Sequence, residues 1–204
     1  MIVYLIRHGQ TDQNKGKCLQ GRSDIELNDY GRELAKKTAE GLKDIRFDII
    51  FTSPLKRAAE TAEMIRRGRE IPVIPEERIL EISFGIYEGL SFGRETYNIP
   101  DREFMNFFEK PEAYRVPPGG ESFEEVLGRT GDFWKELTNN PEYRDKTILI
   151  STHGCALKAI LANICGTCIE NFWGEGVHKN CAVSIVEVKE GSCKLIEEGK
   201  LFYS

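Results

Sequence analysis

Short apolar runs that lead into helical patterns organise most of this chain. The runs at 2–6, 48–52 and 147–151 have the length of strands, and each continues through turn-forming residues into a segment of helical periodicity. Strands that alternate with helices favour a parallel sheet, because a parallel crossover needs a helix-length connection. We therefore predict an α/β fold, a three-layer α/β/α sandwich around a mostly parallel central sheet.

Capping residues mark two of the predicted helix starts. Asn28 is a good N-cap for a first helix, and Ser53 followed by Pro54 is typical of an N-cap and first-turn proline for a second. Two further helices are expected at 121–138 and 153–165, and segments 182–188 and 193–198 predict a β-hairpin at the sheet edge. The faces expected to pack carry Leu34, Thr38 and Leu42 in the first helix and Arg57, Thr61 and Ile65 in the second.

The segment from 84 to 120 breaks this pattern. Glycines and prolines separate short aromatic stretches there, including one from Phe104 to Phe108. Irregular segments of this length are often functional, so we interpret it as a small, partly helical cap inserted over an active site. The aromatic residues are expected to pack the cap and to influence substrate selectivity. No linker is apparent, and we expect one domain over 1–204.

Composition narrows the classes of partner. The formal net charge is −5 without a basic stripe, which argues against nucleic acid. No apolar run approaches the roughly 20 residues that span a bilayer, and the apolar start is too short for a signal peptide. Six cysteines without a signal peptide indicate reduced thiols, so we expect a cytoplasmic protein.

One cysteine pair needs a separate interpretation. Cys165 and Cys168 have C-x2-C spacing, with His178 and Cys181 downstream, but the pattern does not reproduce a zinc ribbon. Small cysteines at the end of an apolar helix are more often packing residues. We expect no metal site here.

Cationic and imidazole side chains follow three of the predicted strands. Arg7 and His8 follow the first, Arg57 lies one turn into the helix after the second, and His153 follows the third. The carboxyl ends of parallel strands are where ligands bind, and helix N-termini favour anions. Two of the three histidines in the chain are followed by glycine, which lets the backbone approach a ligand closely. The sequence therefore predicts an anion site.

Five blocks that contain these residues resemble, in their order, the histidine phosphatase superfamily, phosphoglycerate mutase-like branch. The resemblance covers nearly the whole chain. The blocks are Arg7-His8-Gly9, Ser53-Pro54-Leu55-Lys56-Arg57-Ala58, Leu80-Glu81 with Phe84-Gly85 and Glu88-Gly89, Pro117-Pro118-Gly119-Gly120-Glu121-Ser122, and His153-Gly154.

The resemblance implies a role for each matching residue. His8 becomes phosphorylated, Glu81 donates a proton to the leaving group, and Arg7, Arg57 and His153 bind the phosphoryl group. No metal or cofactor is implied. Positions that line the same pocket in the family are matched by Gly9, Asn14, Gln20 and Gly21. Cys155, two residues after His153, has two interpretations: it narrows that pocket or makes it sensitive to oxidation, or it packs within its helix.

Chemistry accounts for these residue types. Negative charge spreads over the oxygens of a transferring phosphoryl group, and bidentate guanidinium groups stabilise it better than ammonium groups do. A neutral imidazole is available near pH 7, and it attacks in line if a hydrogen bond holds its other nitrogen. Glu88 is the competing candidate for the acid.

Three functions fit the resemblance. The first is a hydrolase of a small phosphomonoester, and the second is a phosphoglycerate mutase-type isomerase. Cys155 stands where such mutases usually have asparagine, Lys158 where they often have arginine, and the short cap would admit water, so the hydrolase is favoured. The third, an inactive phosphate-binding protein, is disfavoured because Arg7, His8 and Arg57 are all present.

Substrate and assembly remain open. The block Pro117 to Ser122 resembles that of small bacterial α-ribazole phosphatases and broad-specificity phosphatases, which names no single substrate. The chain leaves open whether the protein is a monomer or a homodimer.

Overall fold

A six-stranded sheet lies at the centre of the structure, a computed structural model that describes residues 1–203. The strand order is β3-β2-β4-β1-β5-β6; the first four run parallel, and β5 and β6 form an antiparallel hairpin that joins β1. The strands are β1 (Ile2–Arg7), β2 (Ile49–Thr52), β3 (Val73–Pro75), β4 (Thr147–Thr152), β5 (Val183–Lys189) and β6 (Ser192–Lys200).

Helices cover both faces of the sheet, so the predicted three-layer α/β/α sandwich is confirmed. Side chains of β1 alternate between the faces: Val3 and Leu5 pack with the helices at Phe123–Asn139 and Gly154–Cys165, and Ile6 packs with those at Asp29–Gly41 and Lys56–Arg66. The helices are α1 (Asp12–Lys15), α2 (Asp29–Gly41), α3 (Lys56–Arg66), α4 (Asn106–Glu109), α5 (Phe123–Asn139) and α6 (Gly154–Cys165).

Most of the predicted elements are confirmed, and two helix starts are late: α5 begins at Phe123 instead of about 121, and the start of α3 is also wrong. The three parallel strands, the C-terminal hairpin and the Asn28 cap of α2 are present. Helix α3, however, begins at Lys56 with Leu55 as its N-cap, two residues later than predicted. The Ser53 hydroxyl lies 2.7 Å from Nε2 of His153. Ser53 therefore joins two strand ends instead of capping the helix.

Strand β3 and helix α1 were not predicted. Strand β3 has three residues and ends in Pro75, so its pattern is too short to read from the sequence. Helix α1 is a single turn held by a reciprocal capping box between Thr11 and Asn14. Neither element changes the order of the predicted strands.

Segment 84–120 is irregular, as expected. It contains α4 and two short 3₁₀ turns, and an isolated bridge joins Phe84 to Gly120 at its two ends. Gly85 has a φ of +51°, and a Cβ there would lie 2.1 Å from the Pro118 oxygen, so only glycine fits. The segment packs on an aromatic cluster that includes Phe107 and Phe123. Among residues 1–203, no helix has the length and apolar character needed to cross a bilayer.

The capping box that begins α5 gives a test of the fold. Ser122 Oγ accepts a hydrogen bond from the Glu125 main-chain nitrogen at 3.2 Å, and the Ser122 main-chain nitrogen donates one to Oε2 of Glu125 at 2.7 Å. Ser122→Ala should lower the free energy of unfolding by about 1 kcal/mol, measured by urea denaturation. Ser122→Asp keeps a capping oxygen and should stay near wild type. An alanine variant as stable as wild type would remove the cap from the account.

Candidate active site

Register between β1 and β4 brings two imidazoles together. Arg7, the last residue of β1, pairs with Thr152, the last residue of β4, so His8 and His153 follow side by side. Their ring centroids lie 5.2 Å apart. His153 is also the N-cap residue of α6, so its position is fixed by a strand end and a helix start.

Backbone contacts hold the His8 ring in one orientation. Its Nδ1 lies 2.7 Å from the Gly9 oxygen, and because a carbonyl only accepts, Nδ1 carries the proton. The Gly9 nitrogen in turn donates to Thr61 Oγ1 at 3.0 Å. Nε2 of the neutral ring is therefore left as the nitrogen with a free lone pair.

Both imidazoles are held neutral. Burial lowers the pKa of His8 well below its usual value, and Arg57 and Arg7 lower it further. The pKa of His153 is lowered in the same way, first by burial and then by Arg57. Neutral His8 has the protonation state that a nucleophilic imidazole requires.

Two guanidinium groups flank His8. Arg57 donates from Nη1 to the Ser23 oxygen and from Nη2 to the Gly21 oxygen, both at 2.7 Å, and Arg7 donates from Nη1 to the His178 oxygen. The Nε atoms of both arginines are buried without a partner within residues 1–203. Burial lowers the pKa of Arg57 to about 10, so it stays charged at neutral pH. Two fixed cations with unused donors form an anion site.

The two candidate carboxyls have different surroundings. Glu81 accepts hydrogen bonds from the main-chain nitrogens of Cys155, Ala156 and Ile82 at 3.0–3.2 Å and lies beside the first turn of α6. Glu88 accepts instead from the Arg22 nitrogen and the Ser23 hydroxyl, at 2.9 and 2.7 Å. Glu81 lines the cavity described in the next paragraph, whereas Glu88 holds the loop that contains Arg22 and Ser23.

A cavity of about 300 Å³ opens at these strand ends. Eight of the ten residues expected at the site line it: Arg7, His8, Asn14, Gln20, Gly21, Arg57, Glu81 and Cys155. Gly9 and His153 do not. Gly9 is held beside His8 by the hydrogen bonds given above. His153 is fully buried: its Nε2 lies 2.7 Å from the Ser53 hydroxyl, and its Nδ1 has no partner within residues 1–203.

The helix N-termini serve protein carboxylates. The Lys56 nitrogen in the first turn of α3 donates to Asp24 at 2.8 Å, and the first turn of α6 binds Glu81. The sequence predicted that these helix N-termini would favour a bound anion directly. In the structure they bind the carboxylates of Asp24 and Glu81 instead. Cys155 contributes its main-chain nitrogen to Glu81, while burial, followed by Glu81, raises the pKa of its thiol well above the usual value.

Sequence reasoning missed several lining residues. Asn180 donates from Nδ2 to the His8 oxygen at 3.0 Å and to Asn14 at 3.2 Å. It precedes β5, which runs antiparallel to β1, so the start of β5 lies beside the end of β1. The hairpin predicted from residue 182 onward was the sequence signal that could have located Asn180 at the site. The other missed lining residues are Cys18, Leu19, Phe84, Phe92, Gly154, Trp173 and Val177.

Fold and site together define an α/β protein with a buried imidazole in an anion site at its strand ends. A family model of the histidine phosphatase superfamily (branch 1) matches residues 3–199. The chain belongs to this superfamily and is a histidine-phosphatase-type protein.

Known proteins similar to this chain include both hydrolases and a mutase. The uncharacterized phosphatase PhoE of Bacillus subtilis is 36% identical over 164 residues, 80% of this chain and 77% of that protein. The 2,3-bisphosphoglycerate-dependent phosphoglycerate mutase of Cytophaga hutchinsonii is 32% identical over 166 residues, 80% and 76% of the two chains. The solved structure of Bacillus stearothermophilus YhfR superposes with a TM-score of 0.89 at 32% identity, covering 98% of this chain and 97% of that one.

The buried imidazoles give a test by pH. Because the pKa values of His8 and His153 are depressed on folding, the unfolded chain takes up protons below about pH 6.5 that the folded chain excludes. Their stabilising contribution is present above that pH and is lost as the pH falls, at up to about 1.4 kcal/mol per pH unit for each histidine. Urea denaturation between pH 7 and 5 in phosphate-free buffer measures it.

The double variant His8→Asn, His153→Asn is the control for this pH dependence. It retains His178 and every carboxyl group, so its free energy of unfolding should depend less steeply on pH than that of wild type. Equal slopes in the two proteins would show that the imidazoles are not held neutral by the fold.

Proposed function

We propose that this chain hydrolyses phosphomonoesters of small metabolites through a phosphohistidine on His8. The observation that carries the proposal is the orientation of His8. Its Nδ1 is fixed on the Gly9 oxygen, which leaves Nε2 as the nucleophilic atom in a cavity that Arg7 and Arg57 also line. The cavity volume of about 300 Å³ is at the low end for ligand sites, which suits a small substrate.

In the first step Nε2 of His8 attacks phosphorus, and the bond from phosphorus to the ester oxygen breaks. Glu81 gives a proton to the departing oxygen, so the product leaves as a neutral alcohol. Arg7 and Arg57 bind the equatorial oxygens through their unused donors. His153, whose ring centroid lies 5.2 Å from that of His8 and whose Nδ1 has no partner within residues 1–203, is proposed to bind the phosphoryl group with them.

In the second step water attacks phosphorus on the opposite side from His8. Glu81 takes the proton from that water, the bond from phosphorus to Nε2 breaks, and inorganic phosphate leaves. His8 returns to the neutral state that its burial favours. The same carboxyl thus acts as acid and then as base.

Charge on the phosphoryl group is balanced by protein cations in this scheme. Arg7 and Arg57 supply two positive charges, and we propose that no metal ion takes part. Within residues 1–203, no group of three or more His, Cys, Asp or Glu side chains is arranged to hold a metal.

Hydrolysis is favoured over the mutase alternative by the charges that line the cavity. A phosphoglycerate mutase must hold a carboxylate as well as the phosphoryl group through a second transfer. Among the described residues that line the cavity, Arg7 and Arg57 are the only cations, and the scheme uses both for phosphate. An acceptor hydroxyl is therefore held weakly, and water can take its place.

Phosphate release by wild type and His8→Ala tests the proposal directly. Wild type should release phosphate from simple phosphomonoesters with chelator present, and His8→Ala should lose at least about 10⁴-fold in kcat because it removes the nucleophile. Circular dichroism should show that the variant is folded. Isomerisation of 3-phosphoglycerate without phosphate release would instead establish a mutase, and a fully active variant would remove His8 from its role.

The role of Glu81 is tested by changing the leaving group. Glu81→Gln should lower kcat for an alkyl phosphate by about 10²–10⁴-fold, because the alkoxide needs a proton, and should affect 4-nitrophenyl phosphate far less. Glu88→Gln is the matched control, since Glu88 faces the loop at Arg22 and Ser23. Its ratio between the two substrates should equal that of wild type. If Glu88→Gln alone changed the ratio, the acid would be Glu88.

A further inference from the structure

The cavity beyond the phosphoryl-binding residues is lined mainly by aromatic side chains. Five rings contribute to the wall, four of them from segment 84–120: Phe84, Phe92, Phe107, Phe108 and Trp173. Phe107 and Trp173 are buried, whereas Phe92 and Phe108 are only partly buried. The two partly buried rings are therefore free to contact a bound molecule.

These rings form one continuous surface. The centroids of Phe92 and Phe108 lie 5.2 Å apart, and those of Phe108 and Trp173 lie 5.8 Å apart. Phe107 backs Phe108 at 4.8 Å in an edge contact. The indole nitrogen of Trp173 donates to the Phe107 oxygen at 2.5 Å, so the only polar atom of that ring is already used. The wall that remains is apolar.

Charges are few along the same cavity. Within residues 1–203 its charged lining residues are Arg7, Arg57 and Glu81, and the proposed mechanism uses all three. A carboxylate on the organic part of a substrate would find no third cation and would lie near Glu81. An ammonium group would find only Glu81, which must exchange a proton. Burying either charge without a partner is costly.

Some neutral polar atoms in the lining already have partners within the protein. Asn180 binds the His8 oxygen and Asn14, and Gln20 accepts from the Thr11 hydroxyl at 2.8 Å. These contacts hold the loop around His8 in place.

Resting on the proposed function, we infer that the substrate is a phosphomonoester whose alcohol carries an aromatic ring and no carboxylate. Its phosphoryl group binds at Arg7 and Arg57, and its ring packs on the wall formed by Phe92, Phe108 and Trp173. Aromatic contacts of this kind add favourable energy beyond the burial of area. Carboxylate-bearing esters such as phosphoserine and 3-phosphoglycerate are disfavoured.

The affinities of three alkyl phosphates, one of which carries a phenyl ring, test this inference without turnover. His8→Ala, which keeps the arginines and the aromatic wall, is titrated by calorimetry with 2-phenylethyl phosphate, O-phosphoserine and 3-phosphoglycerate. The aromatic ester should bind at least about tenfold more tightly than either carboxylate-bearing ester. Equal or weaker binding of the aromatic ester overturns the inference, whatever the enzyme hydrolyses.

Substitutions in the wall locate the contact. Phe92→Ala and Phe108→Ala should each lower kcat/KM for 2-phenylethyl phosphate by about tenfold and change that for ethyl phosphate by less than about twofold. Phe92→Leu and Phe108→Leu, which keep most of the volume, serve if an alanine variant does not fold. Phe104→Leu is the matched control, because Phe104 packs in the same aromatic cluster outside the cavity lining. An equal loss on both esters in the wall variants, or a changed ratio in the control, counts against the inference.

The proposed function and the inference fail in different ways. Absence of phosphate release from every ester by wild type rejects the proposed function, and the binding comparison then still decides whether the wall selects aromatic ligands. Release that is faster from phosphoserine than from 2-phenylethyl phosphate keeps the function and rejects the inference.

Discussion

The hydrogen bond from Nδ1 of His8 to the Gly9 oxygen is the constraint on which the rest of the site depends. It fixes the tautomer of the ring and leaves Nε2 with its lone pair. Burial and the two nearby arginines keep the ring neutral, which is the protonation state that the proposed nucleophile requires. The bond requires that Gly9 be held too, and its main-chain nitrogen donates a hydrogen bond to Oγ1 of Thr61 in helix α3. A single imidazole is thus positioned by a strand end, a glycine carbonyl and a neighbouring helix.

Much of this arrangement could be predicted from the sequence because parallel strands and their helices have strong local patterns. The ends of β1 and β4, the cap at Asn28 and the C-terminal hairpin all follow from short-range signals. Ser53 misled the prediction because a serine before a proline is a good N-cap, and only the tertiary structure shows that its hydroxyl pairs with His153. The choice between Glu81 and Glu88 was open for the same reason. Only six residues separate them, and long-range contacts decide which carboxyl faces the cavity.

The cavity residues that the sequence did not predict come from an antiparallel strand and from an irregular segment, and neither gives a local pattern that marks a site. Asn180 reaches the site from the start of an antiparallel strand, whereas the strand-end rule looks for the carboxyl ends of parallel strands. The aromatic lining comes from segment 84–120 and from Trp173, which are far apart along the chain and meet only in the folded cluster. The proposed catalytic residues therefore lie at a sheet edge, which a local pattern can indicate. The proposed substrate selectivity depends instead on packing between distant segments, which no local pattern encodes.

Trapping the covalent intermediate tests the central claim most directly. Wild-type protein mixed with a fast phosphomonoester and quenched in alkali within milliseconds should carry one phosphate on His8 by peptide mass spectrometry, because phosphohistidine survives base and is lost in acid. The label should decay as inorganic phosphate appears. Phosphate on another residue, or steady turnover with no label on His8 at any time point, would contradict the account.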